Sequence, residues 1–326
     1  MKLVSFTFAG KHRLGVVNDE MQIVDIALAL EPEQNIPASM LECISQGERG
    51  KELACRALEA GKGQAVFSPD KITYLPPVPD PGKICGVALN NSASNNRKIS
   101  APNHPAFFLK PPSCLVGHRQ TVKIRSYYGS VHPEPELAVI IGKKAKDVDA
   151  VDVHHYIYGY SIFNDITGNA MRAEDLFHYQ ALYAAADDPN RIEKREQHLS
   201  YAGRYKGTDH FGVLGPWLVT GDEVADPDDL KVSCRVAGEL VAEDNTRYYN
   251  YKVAELISFI SQFQTLFPGD IISCGTAFGP GENRKSIHHA NLQLTGGPME
   301  ITIEFLGSQY NDVEIEEKEM GAWRLD

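Results

Sequence analysis

The stretch Glu134-Pro-Glu-Leu-Ala-Val-Ile-Ile-Gly142 begins with two carboxylates and continues as an apolar run. In an extended chain, side chains two positions apart point to the same face, so Glu134 and Glu136 share a face. Pro135 cannot donate a hydrogen bond to a neighbouring strand, which favours a place at the rim of a sheet. Adjacent carboxylates repel each other unless they are protonated, paired with basic groups or neutralised by a cation. The stretch therefore predicts a strand whose rim end carries either two ligands of a hard metal ion or a solvated pair of glutamates.

A second apolar stretch, Tyr156-Ile-Tyr-Gly-Tyr-Ser-Ile-Phe-Asn-Asp165, also ends in a carboxylate. If the two predicted strands are neighbours, Asp165 supplies a third oxygen ligand beside the glutamates. Proteins commonly hold Mg²⁺ with a few carboxylates, while water or substrate oxygens complete its octahedron. The alternative interpretation is that Asp165 only caps the turn that follows.

The composition limits the classes of partner. The chain has 326 residues, of which 43% are hydrophobic, enough for one large core with a small companion domain or for two modest domains. Its 43 acidic residues exceed its 32 basic ones and give a net charge of -11, which repels nucleic acids and anionic membranes. An enzyme for small organic acids would need local cations to offset this charge.

The cysteines and the hydropathy profile indicate the compartment. The six cysteines form no CxxC pair, so they read as reduced core thiols rather than as a zinc or redox site. The N-terminal run Leu3–Ala9 is too short and too polar for a signal peptide. No segment reaches the roughly 20 apolar residues that span a membrane. We expect a cytoplasmic protein.

The chain divides at Leu75-Pro-Pro-Val-Pro-Asp-Pro-Gly82, whose prolines favour a stiff, extended connector. We predict a small N-terminal α+β domain over residues 1–75, a linker over 76–82 and a strand-dominated domain over 83–326. Alternating and apolar runs predict most of the strands, and helical spacing predicts a helix over Lys252–Gln264. The charged, aromatic segment Met171–Arg204 is interpreted as one or two amphipathic helices that lie over a site as a lid.

Six separated motifs occur in order along the second domain. They are Lys83-Ile-Cys-Gly-Val-Ala-Leu-Asn90, Phe107-Phe-Leu-Lys-Pro111, the glutamate stretch at 134–142, Gly159-Tyr-Ser-Ile-Phe-Asn-Asp165, Lys206-Gly-Thr-Asp209 through Gly215-Pro-Trp-Leu218, and Pro268-Gly-Asp-Ile-Ile-Ser-Cys-Gly-Thr276. Together they resemble the fumarylacetoacetate hydrolase family from about residue 83 to the C-terminal strands. The resemblance implies an α+β fold with a mixed β-roll or sandwich domain, and a homodimer.

The same resemblance assigns roles to individual residues. Glu134, Glu136 and Asp165 match the family's metal ligands, with Mg²⁺ usual and Mn²⁺ or Ca²⁺ tolerated. Lys206 matches the lysine beside the metal, which clamps charge or delivers a proton if burial lowers its pKa. The pair Gly275-Thr276, whose residues we take as substrate-binding, matches the turn that holds a substrate carboxylate.

The resemblance also implies a substrate class and a reaction. A 2-oxo acid can chelate the metal through a carboxylate oxygen and its keto oxygen, so that the ion acts as a Lewis acid toward an enolate. We expect Mg²⁺-dependent hydrolysis of a carbon–carbon bond in a small 2,4-dioxo acid of the acylpyruvate type.

One stretch departs from the hydrolytic pattern L-N-Y-x-x-H-x-x-E. Here it reads Leu89-Asn-Asn-Ser-Ala-Ser-Asn-Asn-Arg97, so Ser94 and Arg97 replace the histidine and the glutamate that activate water. Neither is an ordinary general base at neutral pH. The alternative function is therefore a lyase of the same family, either a 2-keto-3-deoxy sugar-acid dehydratase or an oxaloacetate-type decarboxylase. A third interpretation is an inactive metal-binding scaffold.

Several basic residues are candidates for the missing chemistry. His178 and His210 are the leading replacement bases, although His178 also fits an exposed helix position. His118 and Arg119 resemble the substrate-side loop of the family's dehydratase branch, where an arginine can pair with a carboxylate. His132 lies two residues before the first glutamate and is a possible neighbour of the metal ligands.

Overall fold

The computed structural model describes residues 1–279 and 287–321. The strands are β1 Lys2–Phe8, β2 Lys11–Val17, β3 Ile23–Asp25, β4 Val66–Phe67, β5 Thr73–Tyr74, β6 Ile84–Ala88, β7 Ala106–Lys110, β8 Leu115–Gly117, β9 Val122–Arg125, β10 Val131–His132, β11 Pro135–Ile141, β12 Ile157–Asn164, β13 Thr167–Gly168, β14 Leu176–Ala184, β15 Ile192–Ser200, β16 Gly212–Thr220, β17 Lys231–Val236, β18 Glu239–Asn245, β19 Ile271–Thr276, β20 Met299–Ile303, β21 Gly307–Asn311 and β22 Val313–Glu316. The α-helices are α1 Ile26–Ala29, α2 Met40–Ser45, α3 Glu48–Ala60, α4 Asn169–Glu174, α5 Val253–Phe263 and α6 Leu292–Thr295.

A large mixed sheet forms the centre of the fold. Its strand order is β4-β3-β2-β1-β16-β12-β11-β19-β6-β7, with β5 paired to β1 and β8 paired to β16. The predicted α+β, strand-dominated fold is confirmed. The predicted division into two domains stays a prediction, and β1 of the N-terminal part pairs antiparallel with β16 across the predicted boundary.

The position of β11 inside the large sheet explains why its sequence is a continuous apolar run. Leu137, Val139 and Ile141 belong to one hydrophobic cluster, whereas Ala138 and Ile140 belong to another. Since successive side chains of a strand point to opposite faces, the sheet is covered on both sides. A strand that is buried on both faces needs apolar residues at every position.

The two faces are covered by different elements. One cluster joins β11 and β12 to a four-stranded sheet, ordered β18-β17-β20-β21, and to the buried face of α5. The other cluster joins the opposite face to Leu53, Ala54 and Ala57 of α3. The helix predicted over Lys252–Gln264 is confirmed as α5. Within residues 1–279 and 287–321, no helix is long and apolar enough to cross a membrane.

The helical prediction for Met171–Arg204 was wrong. After the short helix α4, the segment forms a two-stranded antiparallel hairpin of β14 and β15. Residues 187–190 read Asp-Asp-Pro-Asn, which favours a turn, and the Asp188 side chain accepts a hydrogen bond from the Asn190 backbone N–H at 2.9 Å. Phe177, Tyr179 and Tyr183 of β14 remain exposed, and aromatic residues of this kind are common in strands.

Candidate metal centre and its cleft

Three carboxylates meet at one end of the central strands. Glu134 precedes β11, Glu136 lies within it, and Asp165 follows β12 directly. The antiparallel register pairs Glu136 with Phe163, and the Asp165 backbone N–H donates to the Glu134 carbonyl oxygen at 2.9 Å. Each of the three side chains offers one ligand atom, and these atoms lie within 4.8 Å of one another. The neighbouring strands required by the sequence prediction are therefore present.

Glu134 is the most accessible of the three and has the most varied contacts. Its Oε1 accepts a hydrogen bond from the Thr167 hydroxyl at 2.8 Å and lies 3.1 Å from His132 Nε2. Its Oε2 lies 3.1 Å from Lys206 Nζ. Burial opposes ionisation of Glu134, but the Lys206 charge and the His132 contact outweigh burial and hold its pKa well below the usual value. Glu134 is thus a carboxylate.

Glu136 is 1% exposed and is held by the end of β19. The Gly275 backbone N–H donates to Glu136 Oε2 at 3.0 Å, and the Ser273 hydroxyl donates to the same oxygen. Burial, and then the charge of Asp165, raise the pKa of Glu136 to about 8. A divalent cation at this position would favour the ionised form of Glu136.

Gly275 is required by its backbone conformation. Its φ is +93°, a region that side chains rarely adopt, and an added Cβ would lie 3.0 Å from Asn90 Cβ and 3.1 Å from the Val87 carbonyl oxygen. Beside it, Thr276 places its hydroxyl 3.2 Å from Glu134 Oε2. Gly275 and Thr276, which were predicted to form a turn, are the last two residues of β19, and both contact the carboxylates.

Asp165 is clamped between two buried lysines. Lys206 Nζ lies 2.5 Å from Asp165 Oδ2, and Lys110 Nζ lies 2.6 Å from Asp165 Oδ1. Lys110 also donates to the carbonyl oxygens of Lys206 and Phe211, the latter at 3.1 Å. Lys110 belongs to the motif Phe107-Phe-Leu-Lys-Pro111 but was not predicted as a site residue. A lysine at the end of an apolar strand was the available signal, since buried lysines need partners.

Lys206 keeps its positive charge. Burial alone would lower its pKa, but the charges of Asp165, Glu134 and Glu136 outweigh burial and raise the pKa above the ordinary value. Lys206 therefore donates hydrogen bonds to Glu134 and Asp165 as an ammonium group. The lowering of its pKa by burial, considered from the sequence, is not found.

The donor set fits a hard divalent cation. All three groups are carboxylates, and oxygen-only ligation is typical of Mg²⁺ and Mn²⁺. Glu134, Glu136 and Asp165 would hold the ion, and two of them, Glu134 and Glu136, also line the cleft described next. With all three carboxylates ionised, the two lysines leave one negative charge uncompensated, which a divalent cation would offset.

A cleft of about 200 Å³ opens over Glu134, Glu136, Lys206 and Thr276. Its walls also include Ser94, Arg97, Arg172, Tyr205 and His288. Arg97 donates a hydrogen bond to the Ser94 hydroxyl oxygen at 3.1 Å, so the two residues that replace the hydrolytic pair lie together in this cleft. Arg97, Arg172 and Lys206 line the cleft and supply the local positive charge that the negative net charge of the chain requires for an anionic substrate.

The other histidines named from the sequence lie elsewhere. His178 is an exposed residue of β14 that contacts Glu196, and His210 contacts the Thr121 carbonyl oxygen at 3.2 Å. Neither is among the described residues that line the 200 Å³ cleft. His288, which does line it, was not selected from the sequence.

His118 and Arg119 belong to a separate groove of about 650 Å³. His118 Nδ1 accepts a hydrogen bond from the Tyr310 backbone N–H at 3.0 Å, and the Arg119 guanidinium lies 6.0 Å from the centre of the Tyr74 ring. Of the histidines selected from the sequence, His132 is the one that contacts a carboxylate of the candidate metal centre, because its Nε2 lies 3.1 Å from Glu134 Oε1.

Comparison with known proteins finds relatives that are named as oxaloacetate tautomerases. The chain is 35% identical over 280 residues to the oxaloacetate tautomerase Fahd2a, mitochondrial, of Rattus norvegicus, covering 85% of this chain and 80% of that protein. It is 29% identical over 328 residues to the oxaloacetate tautomerase YisK of Bacillus subtilis (strain 168), covering 96% and 100%. Both relatives are named as enzymes.

A solved structure with a similar fold carries a metal. Maleylpyruvate hydrolase from Sphingobium sp. SYK-6, in complex with manganese(II) ion and pyruvate, is 27% identical with a TM-score of 0.69, covering 98% of this chain and 100% of that one. The family described as Fumarylacetoacetate (FAA) hydrolase C-terminal matches residues 83–314, which include every carboxylate and lysine of the candidate metal centre. With the fold, the carboxylate cluster and this match in agreement, the chain belongs to the fumarylacetoacetate hydrolase family.

Proposed function

We propose that this protein is a Mg²⁺-dependent tautomerase that interconverts the keto and enol forms of a small 2-oxo dicarboxylic acid, with oxaloacetate as the leading substrate. The observation that carries the proposal is the pair Ser94 and Arg97 beside the carboxylates. A serine and an arginine favour carboxylate binding over activation of water. The curated relatives named as oxaloacetate tautomerases support the same choice.

The cleft offers complementary groups to both ends of such a substrate. A bound divalent ion would supply Lewis-acid polarisation of the 2-oxo group. Lys206 and Thr276 lie beside that end and donate hydrogen bonds to oxygen. Arg97 and Arg172 also line the cleft and can pair with the distal carboxylate.

Tautomerisation requires only the transfer of protons. In enolisation one proton leaves C3 of the substrate and one arrives at the 2-oxo oxygen, and ketonisation is the reverse. No water is added and no carbon–carbon bond breaks in either direction. We assign the proton transfer to His288, because this imidazole lines the cleft and because burial, and then the charge of His132, lower its pKa and so favour the neutral form that can accept a proton. His132, whose ring centre is 5.1 Å from that of His288, is already engaged with Glu134.

The test is a panel assay with and without Mg²⁺. We expect rapid loss of the enol absorbance of oxaloacetate, abolished by a chelator and restored by Mg²⁺ or Mn²⁺. His288→Asn should lower kcat by roughly 100-fold or more with little change in KM, because general acid–base groups contribute about that much. His289→Asn is the matched control, since His289 is an exposed neighbour of His288 and is not among the described residues that line the cleft. Unchanged turnover in His288→Asn would refute the role of His288, and failure to accelerate enol loss would refute the proposed reaction.

Hydrolysis is the second candidate. It is supported by the fold shared with the maleylpyruvate hydrolase from Sphingobium, whose structure contains manganese(II) and pyruvate. Acylpyruvates belong in the same panel, where two carboxylic acid products, or an acid and a ketone, would favour hydrolysis. Release of CO₂ from oxaloacetate would favour the decarboxylase, and a dehydrated keto acid formed from a 2-keto-3-deoxy sugar acid in the same panel would favour the dehydratase. The proposed homodimer is tested separately by the mass of the protein in solution.

A further inference from the structure

A second cluster of metal-ligand side chains lies on the hairpin of β14 and β15. His178 on β14 stands directly opposite His198 on β15, and their rings stack with centres 3.9 Å apart and planes 15° apart. Glu196 is two positions before His198, so its side chain points to the same face of the hairpin. The three residues belong to none of the elements that hold Glu134, Glu136 and Asp165.

The distances suit one shared cation. Glu196 Oε1 lies 2.6 Å from His178 Nε2 and 3.8 Å from His198 Nε2. One ligand atom from each residue can be chosen so that all lie within 4.8 Å of one another. Ligands at about 2.0–2.2 Å from a zinc ion lie roughly 3–4 Å apart, so small rotations of exposed side chains are enough.

The charges of the cluster also favour a cation. Each imidazole ring has a nitrogen that faces the same oxygen of Glu196. A divalent ion would bind one nitrogen of each ring and place its charge against the Glu196 carboxylate. The three side chains are 55–61% exposed, so the ion could enter without opening the fold.

We propose that His178, Glu196 and His198 form a surface site for one Zn²⁺ ion, distinct from the oxygen-only centre in the cleft. Two imidazole nitrogens with one carboxylate suit Zn²⁺, Ni²⁺ and Cu²⁺, whereas Mg²⁺ prefers oxygen ligands. The exposed site leaves a fourth position for water. The ion would cross-link the two strands by joining opposite residues.

The site has a structural consequence for the hairpin. An isolated two-stranded hairpin is only marginally stable in water. Its ends connect α4, which carries the cleft residue Arg172, to Tyr205 and Lys206 at the other side of the cleft. Zn²⁺ binding would therefore reduce opening of a segment that joins two walls of the cleft.

The test is calorimetric titration of the whole protein with Zn²⁺ in a large excess of Mg²⁺, which occupies the oxygen-only centre. We expect one Zn²⁺ per chain, with at least tenfold weaker binding in His178→Asn and in His198→Asn. The control is His154→Asn, which changes an exposed histidine stacked on His155 with ring centres 3.7 Å apart. This variant should bind Zn²⁺ as the unchanged protein does.

Hydrogen exchange gives an independent measurement. Backbone amides of β14 and β15 should exchange more slowly with Zn²⁺ in the unchanged protein, and at the same rate with or without Zn²⁺ in His178→Asn. Absence of Zn²⁺ binding in excess Mg²⁺, or equal binding by both hairpin variants and the His154 variant, would overturn the proposal. Neither measurement depends on the reaction proposed for the cleft.

Discussion

Lys110 is the residue whose removal should be most costly to the candidate metal centre. Its side chain is 0% exposed, and its ammonium group contacts Asp165 and two backbone carbonyl oxygens. The substitution Lys110→Met keeps the approximate length of the side chain and removes only the charge and the donors. Asp165 then retains Lys206 as its remaining cationic partner.

The size of the effect follows from these contacts. Removing one member of a buried ion pair commonly costs about 3–5 kcal/mol, because the other charge stays buried. Each carbonyl oxygen that loses its donor costs about 1–3 kcal/mol in buried surroundings. These losses describe the same ammonium group, and Lys206 still compensates Asp165. We therefore expect the free energy of unfolding to fall by about 3–5 kcal/mol rather than by the sum.

Urea unfolding in the presence of a chelator measures this change. Lys146→Met is the matched control, since Lys146 forms an exposed pair with Asp147 at 2.6 Å and should lose less than about 1 kcal/mol. Added Mg²⁺ should recover part of the loss in Lys110→Met, because a ligand that binds only the folded state stabilises it. A loss below about 1 kcal/mol in Lys110→Met would refute the reasoning, because a buried pair would then behave like the exposed one.

Three further predictions concern the cleft, its backbone and a buried histidine. Arg97→Gln should lower kcat/KM for oxaloacetate by about 10- to 100-fold, because one charge-assisted hydrogen bond is lost. The kcat/KM for monocarboxylic 2-oxo acids should stay nearly unchanged in steady-state assays. Equal losses for both substrates would argue against pairing of Arg97 with the distal carboxylate. Gly275→Ala should destabilise the protein by about 1–3 kcal/mol in urea unfolding, since φ is +93° there; an unchanged midpoint and slope would contradict the strain argument. Burial, and then the charge of Arg119, lower the pKa of His118 from 6.5 to about 4. Between these two pH values the unfolded chain binds a proton on His118 that the folded protein does not, so the free energy of unfolding falls as the pH drops from 6.5 to about 4. At about pH 5 this loss of stability amounts to roughly 2 kcal/mol relative to about pH 7.5, as measured by urea unfolding. The loss should be missing in His118→Asn, and an identical pH dependence of both proteins would exclude this effect of His118.

Much of the candidate metal centre was predictable because its pattern is local. Glu134 and Glu136 are two positions apart in one strand, and this spacing alone places them on one face. Asp165 ends an apolar run that becomes the neighbouring strand β12. Burial on both faces leaves apolar residues at nearly every position of such strands, so the runs could be recognised directly.

The hairpin was missed because its pattern is ambiguous from sequence alone. Charged and aromatic residues alternate irregularly in Met171–Arg204, and such a segment suits either an amphipathic helix or a solvent-exposed strand pair. The Asp-Asp-Pro-Asn turn at 187–190 was the local signal that favoured the hairpin. His178 consequently lies opposite His198 rather than in the cleft.

The sequence by itself determined most strands of the central sheet, the common face of Glu134 and Glu136, and the replacement of the usual histidine and glutamate by Ser94 and Arg97. Only the tertiary structure decided that Lys110 reaches Asp165, 55 residues away, and that His288 lines the same cleft as Arg97. The physical reason is that spacing fixes the direction of a side chain within its own element, whereas its partners depend on which elements become neighbours. That choice is made by burial over the whole core, where β7, β11, β12 and β19 come together from distant parts of the chain.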